Sequence, residues 1–190
     1  MSETTKRIDG PRNATLILRE VATLMERNPG MKFPSISFGS YGDDTVRFHV
    51  HHYPDWRTPQ DQRERETLLK IETTFATVME HFDAAFGDLE WVANDPSDDT
   101  NGMNKNYFIL TAEVRGALIQ LLCNRSDVGE TVDVMHSGPQ VIEENGYVQA
   151  VRQTATIWKP NISLGRRATA REWELESKPV VLALTEAEPF

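Results

Sequence analysis

The sequence predicts an α+β protein. The expected architecture is an antiparallel sheet with two helices on one face, in the order α-β-β-α-β-β-β, plus a β-rich C-terminal extension. Three observations lead there. Residues 58–87 place Leu68, Ile71, Phe75, Val78, Met79, Phe82, Ala85 and Phe86 at helical spacing, with mostly charged or polar residues between them. Residues 107–114 and 117–124 are near-continuous apolar runs separated only by Arg115-Gly116, which suits a tight hairpin. Beyond residue 125 no helical period is clear, and Gly138-Pro139, Lys159-Pro160 and Lys178-Pro179 punctuate strand-like runs.

Taken in order, residues 1–12 are polar, carry Gly10-Pro11 and read as a flexible lead-in. Asn13 can cap a first helix running to about Asn28, with Ile17, Val21, Leu24 and Met25 as its buried stripe and Leu18 alongside. Pro29-Gly30 ends it. Residues 33–38 and 45–52 read as the arms of a hairpin around the turn-forming run Gly39-Ser40-Tyr41-Gly42-Asp43-Asp44. In the second arm Val46, Phe48 and Val50 share one face, and Arg47, His49 and His51 share the other.

The long helix should be capped by Thr58, with Pro59 at its first position and Gly87 as its left-handed stop. Residues 88–93 read as a short strand and residues 94–106 as a polar surface loop. Further strands are expected over 131–135, 146–158 and 168–175, with at most one helical turn over 139–145. The chain therefore divides into a lead-in (1–12), an α+β body (13–125) and a β-rich arm or sheet extension (126–190).

The chain has 190 residues, enough for one sizeable core, and a formal net charge of −9. An acidic surface argues against direct binding to nucleic-acid backbone or anionic membrane. It is compatible with a basic protein partner, and it also serves solubility. A single cysteine, Cys123, excludes an intrachain disulfide and suits a reducing cytoplasm. The first residues lack the apolar run of a signal peptide, and no stretch reaches the roughly 18 apolar residues of a membrane span. The expectation is a soluble cytoplasmic protein.

Several short motifs carry a resemblance. Val21-Ala22-Thr23-Leu24, Asn28-Pro29-Gly30 and Pro34-Ser35-Ile36 are followed by Val46-Arg47-Phe48-His49-Val50-His51 and Leu118-Ile119-Gln120-Leu121. This series resembles uncharacterised small α+β proteins of actinobacteria and their phages. Cys123, Glu172-Trp173-Glu174-Leu175 and Pro179-Val180-Val181-Leu182 are similar to the end of some of these phage proteins. The resemblance implies a phage or actinobacterial accessory protein, in the host cytoplasm if phage-encoded. It implies no chemistry.

Four groups of residues are candidates for function. His49 and His51 point to the same side of a strand and, with Asp55, His81 or His136 as a third ligand, could hold zinc or iron. Two histidines at that spacing also arise on an ordinary sheet face, and no His-x-x-x-His or Cys-x-x-Cys pair accompanies them, so no cofactor is expected. The acidic run 95–102 has oxygen ligands for calcium, but the twelve-residue loop spacing would close on Phe108. Cys123 could be a nucleophile beside His136 or His81, but its apolar strand favours a small core residue.

The fourth group lies in the arm: Trp158, Arg166, Arg167, Arg171 and Trp173 combine the residue types enriched at protein interfaces. Packing of these aromatics back onto the body is the competing reading. The expected function is non-catalytic binding of another protein, or of a second copy as a homodimer, through a sheet edge or the arm. A small metal-dependent enzyme centred on His49 and His51 is the alternative from another class. An acidic nucleic-acid mimic that blocks a host protein is the third.

Overall fold

The structure, a computed structural model, describes residues 10–31, 35–38, 44–94, 106–135, 140–144 and 147–186. It is α+β, with two α-helices among the described residues and a strand-rich C-terminal region. The chain forms two compact units: Met1–Val128 with Asn161–Ala170, and Gly129–Pro160 with Arg171–Phe190. The expected arm is therefore interrupted, because Asn161–Ala170 belongs to the first unit.

The first unit runs α1 (Gly10–Arg27), β1 (Ser35–Phe38), β2 (Thr45–His49), α2 (Gln60–Phe86), β3 (Val92–Ala93), β4 (Tyr107–Val114) and β5 (Ala117–Asn124). Its sheet has the order β1-β2-β5-β4-β3. All neighbours are antiparallel except β2 and β5, which pair in parallel with Phe48 opposite Leu121. The sheet is thus mixed, where a purely antiparallel one was expected. The helix is the reason: α2 carries the chain back after β2, so β3 starts in the direction of β2. Two antiparallel reversals then leave β5 in that same direction.

The register puts Val46, Phe48, Leu110, Ile119 and Leu121 on one face, and all are fully buried. Both helices cover this face. Phe82 of α2 meets Phe48 edge-on at 5.8 Å, and Phe75 stacks on Phe108 at 6.5 Å. Helix α1 buries Ala14, Ile17, Val21 and Leu24; Met25, expected on that stripe, is exposed, as is Leu18. His81 of α2 donates from Nε2 to the Glu20 carbonyl at 2.9 Å, which ties the two helices together.

Two details of α2 depart from expectation. Pro59, not Thr58, occupies the N-cap position, and no side chain caps the helix. The Thr58 N–H instead donates to the Asp55 carbonyl, closing a turn that leaves Pro59 extended. The buried stripe starts at Thr67 rather than Leu68. Gly87 does end the helix, at φ 95°, where a side chain would be strained. Arg115 (φ 51°) and Gly116 (φ 86°) both take left-handed conformations, the geometry a two-residue β-hairpin loop requires.

The second unit contains β6 (Gly129–Met135), β7 (Gln140–Glu144), β8 (Tyr147–Pro160) and β9 (Trp173–Glu186). Strand β8 is central. β9 pairs with it from Tyr147 to Trp158, so β6 and β7 must share its other edge. Three sequence expectations change here. Residues 140–144 form a strand instead of a helical turn, residues 168–172 precede the last strand, and that strand continues through Lys178-Pro179. A proline is tolerated in an edge strand, where a missing N–H need not break a ladder on both sides.

Candidate functional site

The sheet face opposite the helices carries His49, while His51 lies beyond the end of β2. The register aligns Ser37, Arg47, Gln120 and Thr111 in one row across four strands. Arg47 Nε donates to Gln120 Oε1 at 2.9 Å, and Gln120 Nε2 donates to Thr111 Oγ1 at 3.4 Å. In the adjacent row His49 lies between Ser35 and Leu122, with its Nε2 3.1 Å from Ser37 Oγ. Burial, then the neighbouring His51 and Arg47, push the His49 pKa below its usual 6.5. The neutral ring that results can accept the Ser37 hydroxyl proton.

This pair is the nearest approach to a nucleophile and base. Among the described residues no acid is recorded at the other nitrogen of His49, so the orienting third group of such a site is not assembled. The metal candidates are dispersed in the same way. His51 approaches Tyr53 at 6.2 Å between ring centres, and Asp55 accepts the Arg57 N–H at 2.9 Å. His52 pairs with Glu66 at 3.1 Å and His81 with Glu20 at 3.2 Å. Among the described residues no group of three or more His, Cys, Asp or Glu could hold a metal ion. His136, Ser40 and the acidic run 95–102 lie outside the described residues.

Cys123 is fully buried on the helix-covered face. Burial, followed by the Asp127 carboxylate, raises its pKa well above the ordinary 9.0, the opposite of what a nucleophilic thiolate needs. The two shifts predict opposite limbs of a stability profile. Below pH 6.5 the unfolded chain takes up a proton that folded His49 refuses, so this contribution is present above 6.5 and lost as pH falls toward the lowered folded value. Above pH 9.0 the unfolded thiol ionises while the folded one does not, so stability falls as pH rises. Urea midpoints across pH 4 to 10, compared with His49→Asn and Cys123→Ala, should flatten the acid limb and the alkaline limb respectively.

The arm candidates separate into three environments. Trp158 and Trp173 are cross-strand partners, buried, with ring centres 4.8 Å apart. They are interior packing and present no exposed ring. Arg167 belongs to the segment that returns to the first unit. Its NH1 donates to the Ala76 carbonyl and its NH2 to Glu80, both at 3.3 Å, and its Nε lies 3.8 Å from Asp83. Ser163 N–H donates to Glu72 at 2.7 Å, so the segment is strapped along α2. These contacts are solvent-exposed, and Arg167→Ala should cost less than about 1 kcal/mol in a urea titration. Arg166 and Arg171 are exposed.

Sequence reasoning missed the connection before α2. Tyr53 is 83% and Trp56 76% exposed, and the Arg57 guanidinium sits 5.3 Å from the Trp56 ring centre. The signal was there in two aromatics and an arginine within five residues of a proline-containing loop. A hollow of about 450 Å³ beside the start of α2 is lined by Pro54, Gln60, Arg63, Glu64, Thr67, Ser126 and Asp127. It mixes one guanidinium with two carboxylates and holds no histidine.

The most continuous unpartnered feature is a strand edge. In the first unit the outermost strands are four and two residues long. In the second unit β9 has 14 residues and, among the described residues, pairs along one side only. No family model, curated protein or solved structure matches this chain. No helix among the described residues is long and apolar enough to cross a membrane.

Proposed function

We propose that the chain is a non-catalytic accessory protein of actinobacterial or phage type that acts by binding protein through the edge of β9. The length of that edge carries the reading. A strand edge presents a row of N–H and C=O groups ready to pair, and folded proteins normally keep such edges short or covered. The body sheet follows that rule with its four- and two-residue edges, whereas the 14-residue β9 departs from it. An added strand would supply main-chain hydrogen bonds for affinity, and its side chains would supply specificity. Among the described residues the histidine and acid candidates do not gather into a group that could hold a metal ion, which weighs against the metal-enzyme alternative.

The loop carrying Tyr53, Trp56 and Arg57 supports a second contact surface. Exposed Tyr, Trp and Arg are the residues that dominate interface energetics when a partner buries them.

The test measures association of the purified chain by light scattering across micromolar concentrations, together with affinity capture from an actinobacterial lysate. A Leu182→Lys/Leu184→Lys variant and a Tyr53→Ala/Trp56→Ala variant are run beside it. The expected result is an association, with itself or a captured protein, that the lysine variant loses. A wild-type chain that stays monomeric and captures nothing overturns the reading. So does a lysine variant that binds as wild type.

A deletion of residues 126–190 is not a clean version of this test. It would also remove Val128 and Ile162, which are buried in the first unit and joined by the Ile162 N–H to Val128 carbonyl bond at 3.1 Å.

A further inference from the structure

We infer that the hollow beside the start of α2 binds a neutral saccharide of one or two rings, with the turn that carries Trp56 as its stacking platform. This does not rest on the reading of β9 and goes beyond it.

Position is the first support. Strands β2 and β5 are parallel neighbours, β2 ending at His49 and β5 at Asn124, so their carboxyl ends lie side by side. The chain leaves β2 toward α2 and leaves β5 through the turn Arg125–Asp127. Pro54 enters the lining from the first connection, Arg63 and Thr67 from the opening turns of α2, and Asp127 from the second. Where parallel strands carry a helix across them, the crevice outside their carboxyl ends is the usual place for a ligand. The volume of about 450 Å³ lies in the range of small-molecule sites.

The chemistry of the lining selects the ligand. Arg63 Nε is buried and, among the described residues, has no hydrogen-bond partner. Glu64 accepts the Gln60 side-chain amide at 2.8 Å, and Asp127 accepts that of Asn124 at 3.1 Å. A carboxylate offers about four acceptor positions, so both keep room for further donors. A ligand here must accept from a guanidinium and donate to carboxylates. An anion would meet two like charges, and a cation would leave Arg63 Nε unpaired. A hydroxyl both donates and accepts, and a molecule rich in hydroxyls satisfies the whole lining at no net charge.

The neighbouring turn supplies the apolar half. Trp56 is two residues from Pro54, at most about 7 Å of backbone, so its ring is within reach of the hollow. Asp55 pins the turn twice, its carboxylate accepting the Arg57 N–H at 2.9 Å and its carbonyl the Thr58 N–H at 3.0 Å. Trp56 and Tyr53 stay exposed on this fixed turn. The electron-rich face of an aromatic ring attracts the C–H groups on the flat face of a sugar ring.

The test uses the full chain. Of its four tryptophans Trp91, Trp158 and Trp173 are buried and Trp56 is exposed, so iodide quenching of tryptophan emission reports Trp56. The probes are glucose, galactose, N-acetylglucosamine, cellobiose, lactose and chitobiose, each titrated by calorimetry and by protection from iodide. At least one should bind saturably with a dissociation constant of about 1 mM or below and shield Trp56. Trp56→Ala, Arg63→Ala and Asp127→Asn should each weaken it about tenfold at an unchanged urea midpoint, and Trp56→Phe should keep most of the affinity. Trp56→Ala, at an exposed position, keeps the test valid should Arg63→Ala unfold. A free sugar and the end of a longer glycan share this chemistry, and comparing each monosaccharide with its disaccharide separates them.

A wild-type chain with no saturable response to any of these sugars overturns the inference. So does a sugar whose binding is indifferent to both Trp56→Ala and Asp127→Asn. Tighter binding of inorganic phosphate, free arginine or adenosine than of any sugar also overturns it.

Discussion

Phe82→Ala is expected to destabilise the first unit by about 3–5 kcal/mol. Phe82 is fully buried and contacts Phe48 at 5.8 Å, His81 at 5.6 Å and Phe86 at 6.1 Å between ring centres. It joins α2 to β2 at the centre of the helix-covered face. Removing the ring forfeits its transfer energy and leaves a cavity that a helix held at both ends cannot close. The measurement is a urea titration, read as a fall in midpoint at unchanged slope. Leu69→Ala is the control: Leu69 lies on the same helix but is 64% exposed, and its loss should change stability by less than about 0.5 kcal/mol. Equal effects of the two substitutions would contradict the assigned face of α2.

Gly129→Ala should have the second large effect, confined to the second unit. Gly129 begins β6 opposite Pro160, and a Cβ there would overlap the Trp158 ring and the Lys159 carbonyl. The carbonyl is backbone and cannot swing away. The indole is buried against Trp173 and has little room to move. Forcing extra volume into such a site costs about 1–3 kcal/mol. The expected outcome is a lower midpoint for the transition reported by tryptophan fluorescence, with loss of the near-ultraviolet signal of the Trp158–Trp173 pair. Gly116→Ala tests a different constraint. It meets no atom, but its φ of 86° disfavours a side chain, so its cost is conformational and falls on the β4–β5 hairpin.

Much of the first unit was legible because its signals are local and strong. Strands β4 and β5 have the expected limits because two long apolar runs meet at Arg115-Gly116, which permits little besides a tight turn. The stripes of α1 and α2 were legible because an amphipathic period repeats over several turns. The errors fall where two local signals compete. Thr58 and Pro59 both favour a helix start, and the turn closed by the Thr58 N–H settled which residue became the cap. Lys178-Pro179 looked like a terminator because proline excludes a central strand, but it does not exclude an outer one.

The candidate site was less legible. The spacing of His49 and His51 suggested one side of a strand, but β2 ends at His49, and what faces His49 is Ser37, twelve residues away. Likewise Trp158 and Trp173 were expected at an interface, with packing onto the body as the competing reading; that they are buried against one another depends on strand register. Arg167 looked like an interface residue, yet it binds α2 through a carbonyl and carboxylates more than 80 residues earlier in the chain.

By itself the sequence determined the α+β class, the two amphipathic helices, the central hairpin, the strand-rich end and an acidic chain with one thiol. These follow from periodicity, turn chemistry and composition, which act over a few residues at a time. Only the tertiary structure decided that β2 and β5 run parallel, that residues 161–170 return to the first unit, and that β9, among the described residues, has one ladder, with β8. Each of these depends on contacts between residues far apart in the chain. Such contacts form when buried apolar faces and hydrogen-bond ladders find partners, and no local window of sequence encodes the choice among partners.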